Sequence, residues 1–420
     1  MLFRLLCGYV LLLPFRRLDV LPGFRWLGST LDLTELLFLG LAPVALYRAS
    51  TAIWPQRQPF IYFLLGFLAV LTVSTLAAAT PSGYFELLGR YYLLAVFLTF
   101  LWAVRSAGPS FLAKVFRWWT YGAIGLVTTA YLGYPLGWLG ISEALVWVYK
   151  DYPYFGTIYR ATGLAGGSTP LILLLLPPLF ERWCTWRNGG SFPWLLAYFV
   201  PVLVLTLSKE VLLVPIALLL TVRGPRQTLR YGCAAVLILV YNFSTHYLVQ
   251  PARSIEGTVY QRAEYSPGRV AYRGDSFQLL ETTYVSLKRT AGRLAQRNPL
   301  AGVGADQFQQ ILKDDRPTDV YPAHLPPYNP HSAWFGVVAE AGILGLLFLT
   351  GMVVIVSRKL LENLRQVGRE GIPYNRALLA TCIAFLVVSV NYDMLHFNFV
   401  WVTFALVLGQ VGWNWSQSGV

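Results

Sequence analysis

The chain has 420 residues, 56% of them hydrophobic and 13% charged, with a net charge of +13 and a mean hydropathy of +0.52. Soluble domains carry about 25% charged residues, so a soluble globular protein is excluded. A charge of this size on a soluble chain would suggest nucleic acid; no nucleic-acid-binding motif accompanies it, and the excess of Lys and Arg on the cytoplasmic side of a membrane protein accounts for it.

In chain order, apolar runs fall at 2–15, 31–47, 59–79, 84–104, 111–133, 164–180, 192–207, 211–222, 231–249, 332–356, 375–391 and 393–411. Recurrent runs of about 18–20 apolar residues predict an all-α polytopic membrane protein with about twelve transmembrane helices. The first and eighth runs are short, which predicts tilted, broken or partial spans. The N-terminal MLFRLLCGYVLLLPFRR has some likeness to a signal peptide but lacks a small-residue cleavage site, so a retained first span is expected. Cys7, Cys184, Cys233 and Cys382 fall in or beside predicted spans without paired spacing, so neither a disulfide framework nor a zinc site is implied.

With the N-terminus cytoplasmic, each cytoplasmic connection is basic, from Arg48 and Arg57 through Arg223, Arg226 and Arg230 to Arg358, Lys359, Arg365, Arg369 and Arg376. That is the positive-inside pattern; Arg16, Arg17 and Arg25 are the exception. The assignment divides the chain into helices 1–9 over 1–249, one large periplasmic loop at 250–331, and helices 10–12 over 332–420. A loop that long in a compact bundle points to function. Within it Phe277, Leu280, Tyr284, Leu287, Ala291 and Leu294 recur at spacings of three and four, which predicts an amphipathic helix. It should stop at Asn298-Pro299, with Arg289, Arg293 and Arg297 as a basic ridge on another face.

Candidate chemistry gathers at the outer side. His331 follows Asn329-Pro330, so a helix should begin near it. An imidazole there suits a general base at neutral pH; the plainer alternative is a helix-terminal histidine bonded to backbone. Arg160, and Lys209 in LSKE between two apolar runs, add cations that lie on the same side. A lysine at that depth lines a polar cavity or pairs with a partner, and the adjacent Glu210 could be that partner. Glu340, inside the tenth run, should be cavity-facing or paired. Asp393 and His396, in the turn before the last span, read as structural. Several cations with few matching acids suggest an anionic ligand such as phosphate or pyrophosphate. Asp314, Asp315 and Asp319 read as a solvated turn rather than a metal site, and His324 is seven residues from His331, a poor zinc spacing. No metal and no cofactor are expected.

NPLAGVGADQF at 298–308 followed by HSAWFGVVAEAGILGLLF at 331–348 resembles the signature region of the O-antigen ligase/polymerase family. RATGLAGGSTPL at 160–171 is similar to that family's Arg-x-x-Gly segment, and LTLSKEVLLVPIALLL at 205–220 sits where the family carries Ser-Arg-Gly. Two residues depart from the pattern: Lys209 stands in place of the arginine, and Ser332 in place of an asparagine. The resemblance implies a metal-independent, inverting glycosyltransferase of the bacterial inner membrane. Its donor would be a glycan on undecaprenyl pyrophosphate, presented at the periplasmic side. By the same resemblance His331 is the catalytic base and Lys209 a pyrophosphate-binding cation, joined by Arg289 or Arg293 and by Arg160. Arg297, His324, Glu210 and Glu340 are secondary candidates. Transfer to lipid A–core by a ligase is the first expectation. A polymerase extending the lipid-linked glycan and a protein O-oligosaccharyltransferase are the variants, and a lipid or sugar transporter is the alternative of a different class.

Overall fold

A computed structural model describes residues 2–16, 25–26, 29–30, 33–53, 59–152, 156–191, 193–221, 227–251, 270–314, 321, 327–366 and 371–410. The first half comprises α1 (Leu2–Leu12), a small pair β1 (Arg25–Trp26) and β2 (Ser29–Thr30), α2 (Leu33–Ile53), α3 (Pro59–Ala78), α4 (Pro81–Ala107) and α5 (Pro109–Trp138). An antiparallel hairpin of β3 (Val146–Tyr152) and β4 (Gly156–Ala161) follows, then α6 (Ser168–Arg187), α7 (Trp194–Leu205), a 3-10 turn Lys209–Leu212, α8 (Leu213–Thr221) and α9 (Gln227–His246). Next come β5 (Tyr247–Pro251), β6 (Val270–Arg273), β7 (Phe277–Glu281), α10 (Thr283–Arg297) and α11 (Gln307–Asp314). The chain then runs through α12 (Ala333–Gln366), α13 (Ile372–Ser389) and α14 (Asn398–Leu408).

A helix occupies each of the twelve apolar runs. Four of them, Pro59–Ala78, Pro81–Ala107, Ala333–Gln366 and Ile372–Ser389, are long and apolar enough to cross a membrane by length and composition. The helical class holds with one correction: the polar segments also carry strands. Phe277 and Leu280, expected to open the amphipathic helix, lie in β7, the centre of a three-stranded antiparallel sheet with β5 and β6. Helix α10 starts at Thr283 and ends, as expected, with Asn298 as its C-cap. Large apolar side chains such as Val73, Leu76 and Leu239 stay exposed along the helices, as lipid-facing surfaces do.

Helix α6 is the centre of the bundle. Its run Leu171–Leu176 is wholly buried, and a helix apolar all round belongs in a core. It carries Pro177 and Pro178, and a proline has no N–H for the carbonyl four residues back. That carbonyl, Leu174 O, accepts instead from Trp119 Nε1 of α5 at 3.0 Å, the repair expected where no water is at hand.

The glycine-rich segment after α10 is a clasp. Helix α12 breaks at Gly342, whose φ of 65° and ψ of −164° are not helical, and the 299–304 strip lies across the break. Val303 N donates to Ala339 O and Gly304 N to Glu340 O, both at 2.9 Å; Ile343 N donates to Pro299 O at 2.8 Å and Leu344 N to Leu300 O at 3.2 Å. The polar groups freed by the break are thereby satisfied. A Cβ at Gly342 would collide with the Leu300 carbonyl, and one at Gly302 with the Glu340 backbone. The clasp ties α10 and its loop to α12, just below the segment that carries His331.

Candidate functional site

Three chain segments meet at this end of the bundle: the end of α7, the start of α10 and the start of α12. Helix α12 begins at Ala333, two residues later than His331. Ser332 acts as its N-cap: Ser332 is fully buried and its Oγ accepts from Phe335 N at 3.3 Å, a geometry typical of a serine in that position. The helix thus begins near His331, as expected, and Ser332 has an architectural task. His331 itself has a φ of 46°, a left-handed conformation rare outside glycine and costing on the order of 1–3 kcal/mol.

The strained turn sets the His331 ring between two tyrosines, 5.3 Å from the Tyr284 ring and 5.7 Å from that of Tyr328. Tyr284 also carries Lys209, whose Nζ is 4.6 Å from the ring centroid, a cation–π distance. Tyr284, the first turn of α10, thus joins the two residues picked out by sequence. Burial pushes the His331 imidazole below its ordinary value; Asp393 pulls it up and Lys209 pushes it down. The ring is therefore neutral at pH 7, as a base must be. Burial lowers Lys209 as well, opposed by Glu210 and reinforced by Arg160. Among the described residues no carboxylate forms an ion pair with Lys209, and the adjacent Glu210 accepts from the Ser208 hydroxyl.

A second lysine completes the cluster, and sequence reasoning passed over it. Lys288 Nζ lies 2.5 Å from His246 Nε2 and donates to Asn391 Oδ1 at 2.8 Å. His246 Nδ1 is 2.8 Å from Asn242 O, which can only accept, so Nδ1 carries the ring proton and Nε2 accepts from the ammonium. One Lys288 proton is left without a partner among the described residues. Burial and then the Lys209 charge push Lys288 down to about 8. Two half-buried lysines, neither matched by an acid, make a site that lacks an anion.

The remaining candidates are placed differently. Arg160 Nε donates to Thr206 O at 2.8 Å and its NH1 to Tyr149 Oη at 3.1 Å; it caps the C-terminal end of α7 and fixes the turn that presents Lys209. Arg289, one residue from Lys288, points away into a two-pronged bond with Glu281, at 2.5 and 2.7 Å. Arg293 is half-buried one turn on and Arg297 is exposed at the helix end. Glu340 lines a small pocket with Arg90 and Asp393. Beside it is an ion network: His396 Nδ1 meets Glu86 Oε1 at 2.9 Å, His396 Nε2 meets Asp393 Oδ2 at 2.5 Å, and Arg90 Nε meets Glu86 Oε1 at 3.0 Å. Asp314 accepts from Gln310 Nε2 at 2.6 Å. His324, Asp315, Asp319 and Arg17 lie outside the described residues.

Residues 194–350 match the sequence model of a family described as O-Antigen ligase. Over that stretch the chain is similar to that family. The match runs from α7 to the middle of α12 and so takes in Lys209, Lys288, the clasp and His331, while Arg160 and the Asp393–His396 turn lie outside it. No match is found among curated proteins.

Proposed function

We propose that this chain is a multi-pass glycosyltransferase of the bacterial inner membrane with the His331 end of the bundle facing the periplasm. In this reading it moves a glycan from undecaprenyl pyrophosphate to an acceptor hydroxyl, in the first instance on lipid A–core. His331 takes the proton of the acceptor O–H; the oxygen attacks the anomeric carbon from the face opposite the leaving group. The bond from that carbon to the pyrophosphate oxygen breaks, its electron pair stays on the oxygen, and the lipid pyrophosphate departs. Lys209 and Lys288 hold the charge that grows there, so they stabilise the transition state more than the bound donor. Lys288, rather than Arg289 or Arg293, is the cation that α10 contributes.

The observation that supports this reading is that His331 and Lys209 both pack on Tyr284, with Lys288 one turn along α10 and no ion pair to either lysine among the described residues. A transporter would use the broken helix α12 as an ion or substrate site; the clasp already occupies the polar groups of that break. The test is an assay of purified protein with undecaprenyl-pyrophosphate glycan, offered either lipid A–core or a second lipid-linked glycan. Transfer to the first makes the chain a ligase and to the second a polymerase; a protein hydroxyl accepted instead would make it a protein glycosyltransferase. No transfer to any acceptor, with folded protein and intact donor, contradicts the proposal.

A further inference from the structure

The sheet of β5, β6 and β7 grows directly out of α9. Strand β5 starts at Tyr247, the residue after the last of α9. The junction is bolted from the other end of the sheet: Thr282, the single residue between β7 and α10, donates from N to His246 O at 2.9 Å and from Oγ1 to Thr245 O at 2.6 Å. The sheet therefore stands at a fixed height on the end of α9 nearest the candidate site. Along α9, Val236, Leu239, Val240 and Phe243 are exposed, and their three- and four-residue spacing puts them in one stripe. Tyr247 prolongs that stripe, its ring 5.4 Å from that of Phe243. The register then carries the same face across the sheet. Tyr247 lies opposite Glu281, Val249 opposite Leu279, Pro251 opposite Phe277, and Tyr272 of β6 opposite Leu279; residues directly opposite share a face. Val249, Tyr272 and Phe277 are exposed, and the Tyr272 and Phe277 rings lie 5.7 Å apart. On the opposite face Leu280 is buried, so that face is the one turned toward the protein.

An exposed aromatic sheet face that runs without a break into an exposed apolar helix stripe calls for one partner that covers both. We infer that this face is a foot resting in the interfacial layer of the membrane, among lipid headgroups, at the level where α9 leaves the hydrocarbon. Tyrosine, with an apolar ring and a polar tip, is a side chain that this layer collects. The edge of the face carries the matching charge. Glu281 is held by both prongs of Arg289, close enough to Tyr247 for the two to interact. That fork uses two of the five N–H groups of a guanidinium, so the half-exposed Arg289 has donors to offer a lipid phosphate. The sequence placed this segment in a periplasmic loop; the foot makes part of that loop a membrane contact. It also sets the height of α10, which starts one residue beyond the sheet and bears Tyr284 and Lys288. The foot does not depend on the transfer reaction and stands whether or not the chain moves a glycan.

The test is a nitroxide scan of the full chain in vesicles of phosphatidylethanolamine and phosphatidylglycerol. The background is Cys233→Ser with Cys382→Ala, which removes the exposed and the half-buried cysteine. Labels go at Val249→Cys and Phe277→Cys on the face, at Leu239→Cys in the α9 stripe and at Asp275→Cys in the turn between β6 and β7, all exposed positions. Two positions on the face are read, so that a poorly folded variant at one leaves the other. Collisions with oxygen are expected to exceed those with a water-soluble nickel chelate at Leu239, Val249 and Phe277, and the order to reverse at Asp275. Depth should be greatest at Leu239. Nickel access at Val249 and Phe277 equal to that at Asp275 means that the face is open to water and overturns the inference. A water-exposed label at Leu239 removes the lipid-facing stripe and overturns it as well. Dipolar broadening at Phe277→Cys that vanishes on dilution with unlabelled chain would assign the face to a second copy of this chain instead.

Discussion

Two charged regions lie near each other and are built on opposite terms. In the Glu86–Arg90–Asp393–His396 network, Arg90 and His396 touch at 2.9 Å and are held by Glu86 and Asp393 at 2.5–3.0 Å. In the first two turns of α10 and beside it, Lys209 and Lys288 have amide, imidazole and ring neighbours but no ion pair among the described residues. Buried charges that are matched hold a structure together, and removing one partner costs more than the pair contributes. Buried charges that are unmatched cost stability for as long as they stay empty, and a ligand of opposite sign repays that cost. The same contrast is repeated within one turn of α10, where Lys288 faces the unmatched cluster and Arg289 is forked onto Glu281.

That contrast can be broken by substitution, most severely at the base. His331→Ala should lower the glycan-transfer rate by about 10²–10⁴-fold, the usual worth of a general base, with expression and thermal stability unchanged. Arg90→Met, by contrast, should act on folding: it removes one of the two cations on Glu86 and leaves His396 as the other, read as a lowered unfolding midpoint. If Arg90→Met were instead fully stable and inactive, the matched network would have to be reassigned to catalysis. Lys288→Ala should weaken donor binding by about 10–100-fold, the range for a hydrogen bond to a charged group, while Arg289→Ala removes a pair whose lysine-side neighbour is untouched. The arginine side of the Arg289–Glu281 pair is about 41% exposed but Glu281 is buried, so its loss should register as a lowered unfolding midpoint and not as lost donor affinity.

The pH dependence follows from the same two groups. Lys288 is depressed to about 8, so in the free protein its charge is present below that value and lost as pH rises through it. Anion binding favours the charged form, so above pH 8 binding must take up a proton, and affinity should fall by about tenfold per pH unit. His331 is depressed below 6.5, so it is neutral at pH 7 and transfer should decline only as acid protonates it. An alkaline limb that persists unchanged in Lys288→Ala would show that another group sets it.

Sequence made the helices legible because each apolar run is long and bounded by Arg, Pro or Gly. It made His331 and Lys209 legible because a charged or titratable residue at an apolar boundary is costly to keep. Phe277 and Leu280 misled because a spacing of three fits a helix, while the pairing of β7 with β5 and β6 is a tertiary fact. The Arg289, Arg293 and Arg297 ridge drew attention by its regularity, yet regular polar spacing is what a solvated face has. The informative residue was Lys288, four after Tyr284 and three before Ala291, a lysine in the slot of the apolar stripe. His246, one of four histidines, gave its signal only through that lysine. The signature glycines were read as a tight turn; their further task, threading a strip of backbone into the break at Gly342, depends on a helix interruption that no local pattern announces.

The central claim is that the unmatched lysines, and not the matched arginine beside them, hold the donor pyrophosphate. The direct measurement is the affinity of purified Lys288→Ala and Arg289→Ala proteins for undecaprenyl-pyrophosphate glycan in nanodiscs at pH 7, beside the unsubstituted chain. The account predicts a loss of about 10–100-fold for Lys288→Ala and less than about threefold, on the order of 0.5 kcal/mol, for Arg289→Ala. Equal affinities for Lys288→Ala and the unsubstituted chain, or the larger loss at Arg289, would contradict it.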